Sequence, residues 1–151
     1  MARWNRETDS CSFGNIKIGR VVDMENSGFA ASMLYPDSTP ERIRSLSKRF
    51  GSQHIHPDTL DLYLSFHAYV IKTKNHIILV DSCVGNGKKR PGREMWTNRS
   101  GPFLDNLARH GVTPENIDFV MCTHMHADHV GWNTKKVNGD WVPTFPNAQY
   151  L

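Results

Sequence analysis

The feature that most constrains this chain is a cluster of three histidines and one aspartate within six residues, namely His124, His126, Asp128 and His129. The cluster directly follows residues 117–122, whose mostly apolar pattern predicts a strand that is covered on both faces. In an extended segment the side chains of His124 and His126 project to the same side, so both imidazoles can bind one metal ion. Asp128 and His129 come after a turn and can face a second ion or the open side of the first.

The residue types in this cluster indicate a catalytic metal site rather than a structural one. Neutral imidazole is a common zinc ligand, and a carboxylate suits a hard or borderline cation. The cluster contains no cysteine, which argues against a structural zinc site of the Cys₄ or Cys₂His₂ type. The alternative is a histidine-rich surface loop that binds nothing. We disfavour it because three histidines and an aspartate occur together in register.

The pattern of apolar, turn-forming and capping residues predicts a chain of strands, hairpins and short helices. Alternating apolar side chains predict a strand over residues 15–24, followed by a loop over residues 25–38. Thr39 and Pro40 predict the start of a helix that ends before Gly51. Further predicted elements are a hairpin over residues 60–81, a helix over residues 102–110, a hairpin over residues 135–142 around Asn138-Gly139, and the start of a strand over residues 148–151.

Length and composition place the chain among globular proteins of one domain. It has 151 residues, of which 38% are hydrophobic and 22% are charged. We expect residues 1–59 to form an amino-terminal segment of strand, loop and helix, and residues 60–151 to form the core. No apolar run approaches the roughly 18 residues of a membrane span, and the amino terminus lacks the apolar centre of a secretory signal. We therefore expect no membrane partner.

The net charge and the cysteine content indicate which partners and which cellular compartment to expect. The net charge of +3 is too small to favour nucleic acid as a partner. The three cysteines are far apart in the sequence and odd in number, which favours free thiols in a reducing compartment and a cytoplasmic protein. We interpret Cys83 as an inert thiol. His54 and His56 have a spacing that permits a metal ion, but without an Asp or Cys partner we interpret them as surface or structural histidines. The oligomeric state stays open.

A group of basic residues and a group of aromatic residues each allow two interpretations. The basic residues of the loop that follows residue 87 are interpreted as a solvated face, with contact to an anion or a substrate as the alternative. The aromatic residues are expected in the core, with a pocket near the motif as the alternative. The basic group contains Lys88, Lys89, Arg90, Arg93 and Arg99, and the aromatic group contains Trp132, Trp141 and Phe145.

The His-x-His-x-Asp-His motif, the apolar strand before it and Val130-Gly131 after it resemble the metallo-β-lactamase-fold hydrolase superfamily. The resemblance covers residues 60–151 and includes a hairpin that ends in Asp81. Residues 131–134 and 141–148 are more similar to the lactonase-like branch than to true β-lactamases. The resemblance implies an α+β fold, namely the N-terminal half of a four-layer αβ/βα sandwich with a mostly antiparallel or mixed sheet and flanking helices.

The resemblance also implies roles for the motif residues. His124 and His126 would bind the first of two divalent metal ions, and Asp128 and His129 would bind the second. The ions would be Zn²⁺, with Mn²⁺ or Fe²⁺ as alternatives, and Asp128 would also orient the attacking water. Asp81 would lie beside the site as a positioning group, or it would simply end its strand and hydrogen-bond the next turn.

The function implied is hydrolysis of a small-molecule lactone, ester or similar carbonyl compound by metal-activated water. The alternatives are a phosphodiesterase or nuclease, a thiolester hydrolase of the same superfamily, and a non-catalytic metal-binding fragment. Members of the superfamily carry further metal ligands downstream, whereas the 22 residues after His129 contain no histidine. We therefore expect the chain to be the amino-terminal part of a longer hydrolase and to be incomplete and inactive alone.

Overall fold

The main element of the fold is a six-stranded sheet, seen in a computed structural model that describes residues 4–151. Residues 1–3, at the start of the predicted segment 1–59, lie outside the described residues. The strand order in the sheet is β1-β2-β3-β4-β5-β8. The six strands are β1 (Ser10–Phe13), β2 (Ile16–Phe29), β3 (Leu62–Lys72), β4 (Ile77–Val80), β5 (Phe119–Met121) and β8 (Gln149–Tyr150).

The sheet is mixed, as predicted. The pairs β1/β2 and β3/β4 are antiparallel, whereas β4/β5 and β5/β8 are parallel. A separate two-stranded antiparallel sheet contains β6 (Thr134–Val137) and β7 (Asp140–Pro143), which are joined by the predicted Asn138-Gly139 turn. Both residues of that turn have positive φ, as a tight hairpin connection of this kind requires.

The helices are few and short. They are α1 (Ala31–Leu34), α2 (Pro40–Phe50) and α3 (Phe103–Arg109), with 3₁₀ turns at Glu94–Trp96, Pro114–Asn116 and Gly131–Asn133. The helix α2 begins and ends where the sequence predicts, because the Thr39 hydroxyl accepts a hydrogen bond from the Arg42 amide at 3.3 Å and Gly51 has φ of +81°. Within residues 4–151, no helix is long and apolar enough to cross a bilayer.

The chain divides into two compact units, each with its own apolar core. The first unit contains the described residues up to Asp23 together with Phe66–Leu151, and the second is Met24–Ser65. The predicted segment boundary at residue 60 stays a prediction. The core of the first unit includes Val21, Val70, Leu79, Phe103, Leu107, Ile117, Val120 and Phe145, and that of the second contains Ala31, Ile43 and Ile55.

The prediction of a loop over residues 25–38 is wrong for residues 25–29 and 31–34, whereas residues 35–38 lie outside any helix or strand. The strand β2 continues to Phe29, and the helix α1 follows it. Ser27 and Phe29 are buried and keep the alternation that begins at Val21. The sequence does not indicate that β2 extends beyond residue 24, because polar residues and glycine, here Glu25, Asn26 and Gly28, are more typical of loops.

The parallel pair β4/β5 brings together the segments that carry the motif and Asp81. In this pair Leu79 lies opposite Val120, and Val80 lies opposite Met121. Because the carboxyl ends of neighbouring parallel strands meet at one edge of the sheet, Asp81 and the loop after Met121 are adjacent. The sequence predicts that β5 is covered on both faces, and this prediction is wrong in part. Val120 is fully buried, but Met121 is 43% exposed.

Candidate metal centre

The residue that follows β4 is held in an unusual backbone conformation. Asp81 has φ of +62°, and its amide donates a hydrogen bond of 2.8 Å to the Met121 carbonyl on β5. The left-handed region disfavours most side chains, but aspartate and asparagine tolerate it better than the others do. This turn directs the Asp81 carboxylate toward the motif loop instead of continuing the strand.

The Asp81 carboxylate accepts hydrogen bonds from two residues of the motif loop. The Thr123 amide donates to it at 2.8 Å, and the Thr123 hydroxyl lies 3.0 Å from both carboxylate oxygens. The His129 Nδ1–H donates to the same carboxylate at 2.8 Å. Asp81 therefore follows the end of β4 and hydrogen-bonds the motif loop, and its role in positioning a metal ligand stays a prediction.

For neutral imidazoles and an ionised Asp81, these contacts favour one tautomer of His124 and one of His129. The Thr123 hydroxyl has one proton, which it donates to Asp81, so it accepts from His124 Nδ1 at 3.1 Å. His129 Nδ1 is likewise a donor to Asp81. In both rings the lone pair then lies on Nε2, which is the atom left to bind a metal.

The predicted ligands come together as two pairs of donor atoms. His124 Nε2 lies 3.1 Å from His126 Nδ1, and His129 Nε2 lies 3.5 Å from an Asp128 carboxylate oxygen. Two nitrogen ligands of one tetrahedral zinc ion, at bonds of about 2.0–2.1 Å, are about 3.3 Å apart. The His124–His126 spacing is compatible with two nitrogen ligands on one ion, and the binding of two divalent ions by the four residues stays a prediction.

Each pair supplies only two ligands. Among residues 4–151, no group of three or more His, Cys, Asp or Glu side chains is arranged to hold an ion. A catalytic zinc ion normally takes three protein ligands and a water molecule. The motif therefore provides part of the coordination that each ion requires.

The electrostatics of the site favour an ionised Asp81 and a protonated Cys83. Partial burial alone would raise the pKa of Asp81, but the hydrogen bonds from Thr123 and His129 outweigh it and hold that pKa below its usual value. Burial raises the pKa of the Cys83 thiol well above its ordinary range, and the nearby carboxylates of Asp23, Asp81 and Asp128 add to this. The interpretation of Cys83 as inert agrees with this environment.

Two glycines allow the motif to pack backbone against backbone on the loop after β4. The Gly131 amide donates to the Cys83 carbonyl at 2.7 Å, and the Ser82 amide donates to the His129 carbonyl at 2.8 Å. A Cβ atom on Gly131 would lie 1.9 Å from the Val84 carbonyl oxygen, and one on Gly85 would lie 2.6 Å from the Gly131 carbonyl. This close backbone contact between Gly131 and the loop after β4 fixes the position of the segment that follows the motif.

Three residues outside the predicted set, Thr123, Ser82 and Asn133, support this site. Thr123 connects Asp81 to both imidazoles, and the Ser82 hydroxyl donates to the Asn133 side chain at 2.7 Å. The only available signal for Thr123 is that it directly precedes the motif. No local pattern indicates the contact of Ser82 with Asn133, because 51 positions separate them.

We expect the Asp81→Asn variant to bind zinc about tenfold more weakly than the wild type, the lower end of the range for groups that orient metal ligands. Asparagine tolerates the left-handed backbone, so the change removes the carboxylate while preserving the turn. Zinc titration by calorimetry measures the effect. Asp140→Asn, an exposed acid on β7, is the control with the same change in charge. Equal affinities of the two variants would contradict the orienting role of Asp81.

Comparison with known proteins gives the family. The family profile described as the metallo-beta-lactamase superfamily matches residues 66–150. Among solved structures, the chain is similar to the hydrolase AbOPH of the beta lactamase superfamily, with 25% identity and a TM-score of 0.68. It is also similar to AidC, a dizinc quorum-quenching lactonase solved with a product (20% identity, TM-score 0.71), and to a probable metal-dependent hydrolase from Staphylococcus aureus (23% identity, TM-score 0.69).

These similarities extend over most of the chain but over less than half of each solved structure. The matches cover 93%, 93% and 92% of this chain, and 42%, 42% and 47% of the three structures in the same order. A search of curated proteins finds no significant match. The predicted α+β fold class and the resemblance seen in the motif are both confirmed. The chain belongs to the metallo-beta-lactamase superfamily.

Proposed function

We propose that this chain carries the metal-binding motif of a hydrolase that acts on a small-molecule lactone, ester or similar carbonyl compound. The observation that carries the proposal is the arrangement in which Thr123 and Asp81 orient His124 and His129. Orientation of imidazoles by hydrogen-bonded neighbours is typical of functional metal sites. The similarity to a lactonase, AidC, supports a lactone as the first substrate class to test.

The four motif residues would bind the metal ions, and two neighbouring residues would orient them. His124 and His126 would hold one divalent ion, and His129 with one carboxylate oxygen of Asp128 would hold another. A bound divalent cation lowers the pKa of water toward neutrality and polarises a carbonyl group. The second carboxylate oxygen of Asp128 can accept a hydrogen bond from the attacking water and so orient it. Asp81 and Thr123 would orient the imidazoles of His129 and His124 for binding such an ion.

We expect zinc-dependent hydrolysis by the natural protein, that is, the protein expressed from its complete reading frame. We expect turnover of a lactone or an aryl ester that a chelator abolishes and that added zinc restores. A phosphodiester and a thiolester, assayed under the same conditions, test the two other reaction types of the superfamily. Hydrolysis that is insensitive to the chelator would contradict the proposal. Zinc binding without turnover of any of the four substrates would instead identify a non-catalytic metal-binding protein.

A further inference from the structure

A basic cleft lies on the first unit, beside the segment that follows the metal motif. It has a volume of about 690 Å³. One of its lining residues, Val130, directly follows the predicted ligand His129, so the cleft and the motif adjoin along the chain. Its nine lining residues include Lys88, Lys89, Arg90, Thr134, Lys136 and Trp141.

Positive charge is concentrated in this cleft without a compensating carboxylate. Four of the nine lining residues are cationic, and among the residues described there none is acidic. The chain as a whole carries almost as many acids as bases, with a net charge of +3. Like charges that face a common space repel one another and attract an anion.

Lys88 contradicts the prediction of a solvated basic face. It is only 9% exposed, and its ammonium donates to the Thr134 carbonyl at 3.0 Å and to the Thr134 hydroxyl at 2.9 Å. The same nitrogen lies 3.7 Å from the centre of the Trp141 ring. Burial lowers the pKa of Lys88, and the neighbouring charge of Arg90 adds to this effect. The fold therefore holds a positive charge at a fixed place in the cleft with neutral partners.

Arg90 presents a buried donor that lacks an acceptor. Its Nε atom is buried and has no hydrogen-bond partner within the described part of the chain. Its backbone is fixed, because the Arg90 amide donates to the Thr97 hydroxyl at 3.0 Å and the Arg90 carbonyl accepts from that hydroxyl at 3.0 Å. A buried N–H without an acceptor is unfavourable. Arg90 also lines the cleft, where a guanidinium is a charged donor suited to an oxyanion.

We propose that the cleft binds an anionic group, a carboxylate or a phosphate, of the molecule on which the adjoining metal site acts. This inference rests on the proposed function and narrows it to substrates that carry a negative charge. Arg90 and Lys136 would contact the anion, and Lys88 would contribute its fixed charge. Trp141, which is 47% exposed, lines the same cleft, and the Lys88 and Lys136 ammonium groups lie 3.7 Å and 5.9 Å from the centre of its ring.

The inference is tested by measuring the binding of small anions to the chain, which does not depend on hydrolytic activity. Inorganic phosphate and acetate are titrated separately, and binding is followed by the NMR shift of the Trp141 indole N–H. We expect saturable binding of at least one anion. We also expect about tenfold weaker binding in Arg90→Gln and in Lys136→Gln, as the loss of one charge-assisted hydrogen bond implies. Comparison of the two anions distinguishes a carboxylate from a phosphate.

Lys135→Gln is the matched control. Lys135 precedes Lys136 on β6 and is not part of the cleft lining, so this variant loses the same charge at a neighbouring place. We expect its anion affinity to stay within about twofold of the wild type. Lys136 is exposed, so Lys136→Gln keeps the test valid if Arg90→Gln does not fold.

Two results would overturn the inference. One is the absence of saturable binding of either anion, and the other is equal weakening in Lys135→Gln and Lys136→Gln. Neither result bears on the metal motif, because hydrolysis of an uncharged lactone or ester by the natural protein is measured separately. Conversely, a protein without hydrolytic activity could still bind the anion, so failure of the proposed function and failure of this inference are distinguishable.

Discussion

Replacement of His126 by alanine should weaken zinc binding by roughly 100-fold or more and reduce metal-dependent hydrolysis by the natural protein in parallel. His126 Nδ1 faces His124 Nε2 at 3.1 Å, so the variant loses one of the two nitrogens that would share an ion. A single remaining imidazole binds a divalent ion weakly, since affinity depends on several ligands held together. Zinc content after dialysis and the rate of lactone or ester hydrolysis measure the two effects.

Met125→Ala is the control for this prediction. Met125 lies between the two histidines and is 79% exposed, so its side chain packs little against the fold. The control alters the same loop without removing an imidazole, and we expect zinc content and turnover close to those of the wild type. If His126→Ala retains the zinc content of Met125→Ala, the two-histidine pair is not a metal site.

The sequence predicts the elements that depend on local pattern. Three predictions depend on residues a few positions apart, and the structure confirms them. They are the hairpin over residues 60–81, the Thr39-Pro40 start of α2 and the Asn138-Gly139 turn. The proximity of His124 and His126 is predictable for the same reason, because side chains two positions apart in an extended segment project to the same side. That His124, His126, Asp128 and His129 bind metal stays a prediction.

The contacts that complete the site are not local, which is why the sequence leaves them open. Asp81 meets Thr123 and His129 across 42 and 48 positions, through the pairing of β4 with β5. The burial of Lys88 depends on Thr134, 46 positions away. A basic run in a sequence is usually solvated, and only tertiary packing shows that one of its members is not.

The Gly131→Ala variant should lower the free energy of unfolding by about 3 kcal/mol, at the upper end of the usual cost of overpacking. A Cβ atom on Gly131 would lie 1.9 Å from the oxygen and 2.0 Å from the carbon of the Val84 carbonyl. Both atoms belong to backbone rather than to a flexible side chain, so one of the two loops must move. Movement would also lengthen the 2.7 Å hydrogen bond from the Gly131 amide to the Cys83 carbonyl.

Denaturant unfolding of Gly131→Ala and Gly28→Ala separates this close approach from the general effect of replacing glycine. A Cβ atom on Gly28 would meet its nearest neighbour, an Asp61 side-chain atom, at 3.5 Å, which is ordinary contact. The Gly28 variant should therefore change the free energy of unfolding by less than about 1 kcal/mol. Because the displaced loop begins at Asp81, which orients His129, we also expect weaker zinc binding in the Gly131 variant alone. Equal stability of the two variants would show that the loops move apart at no cost.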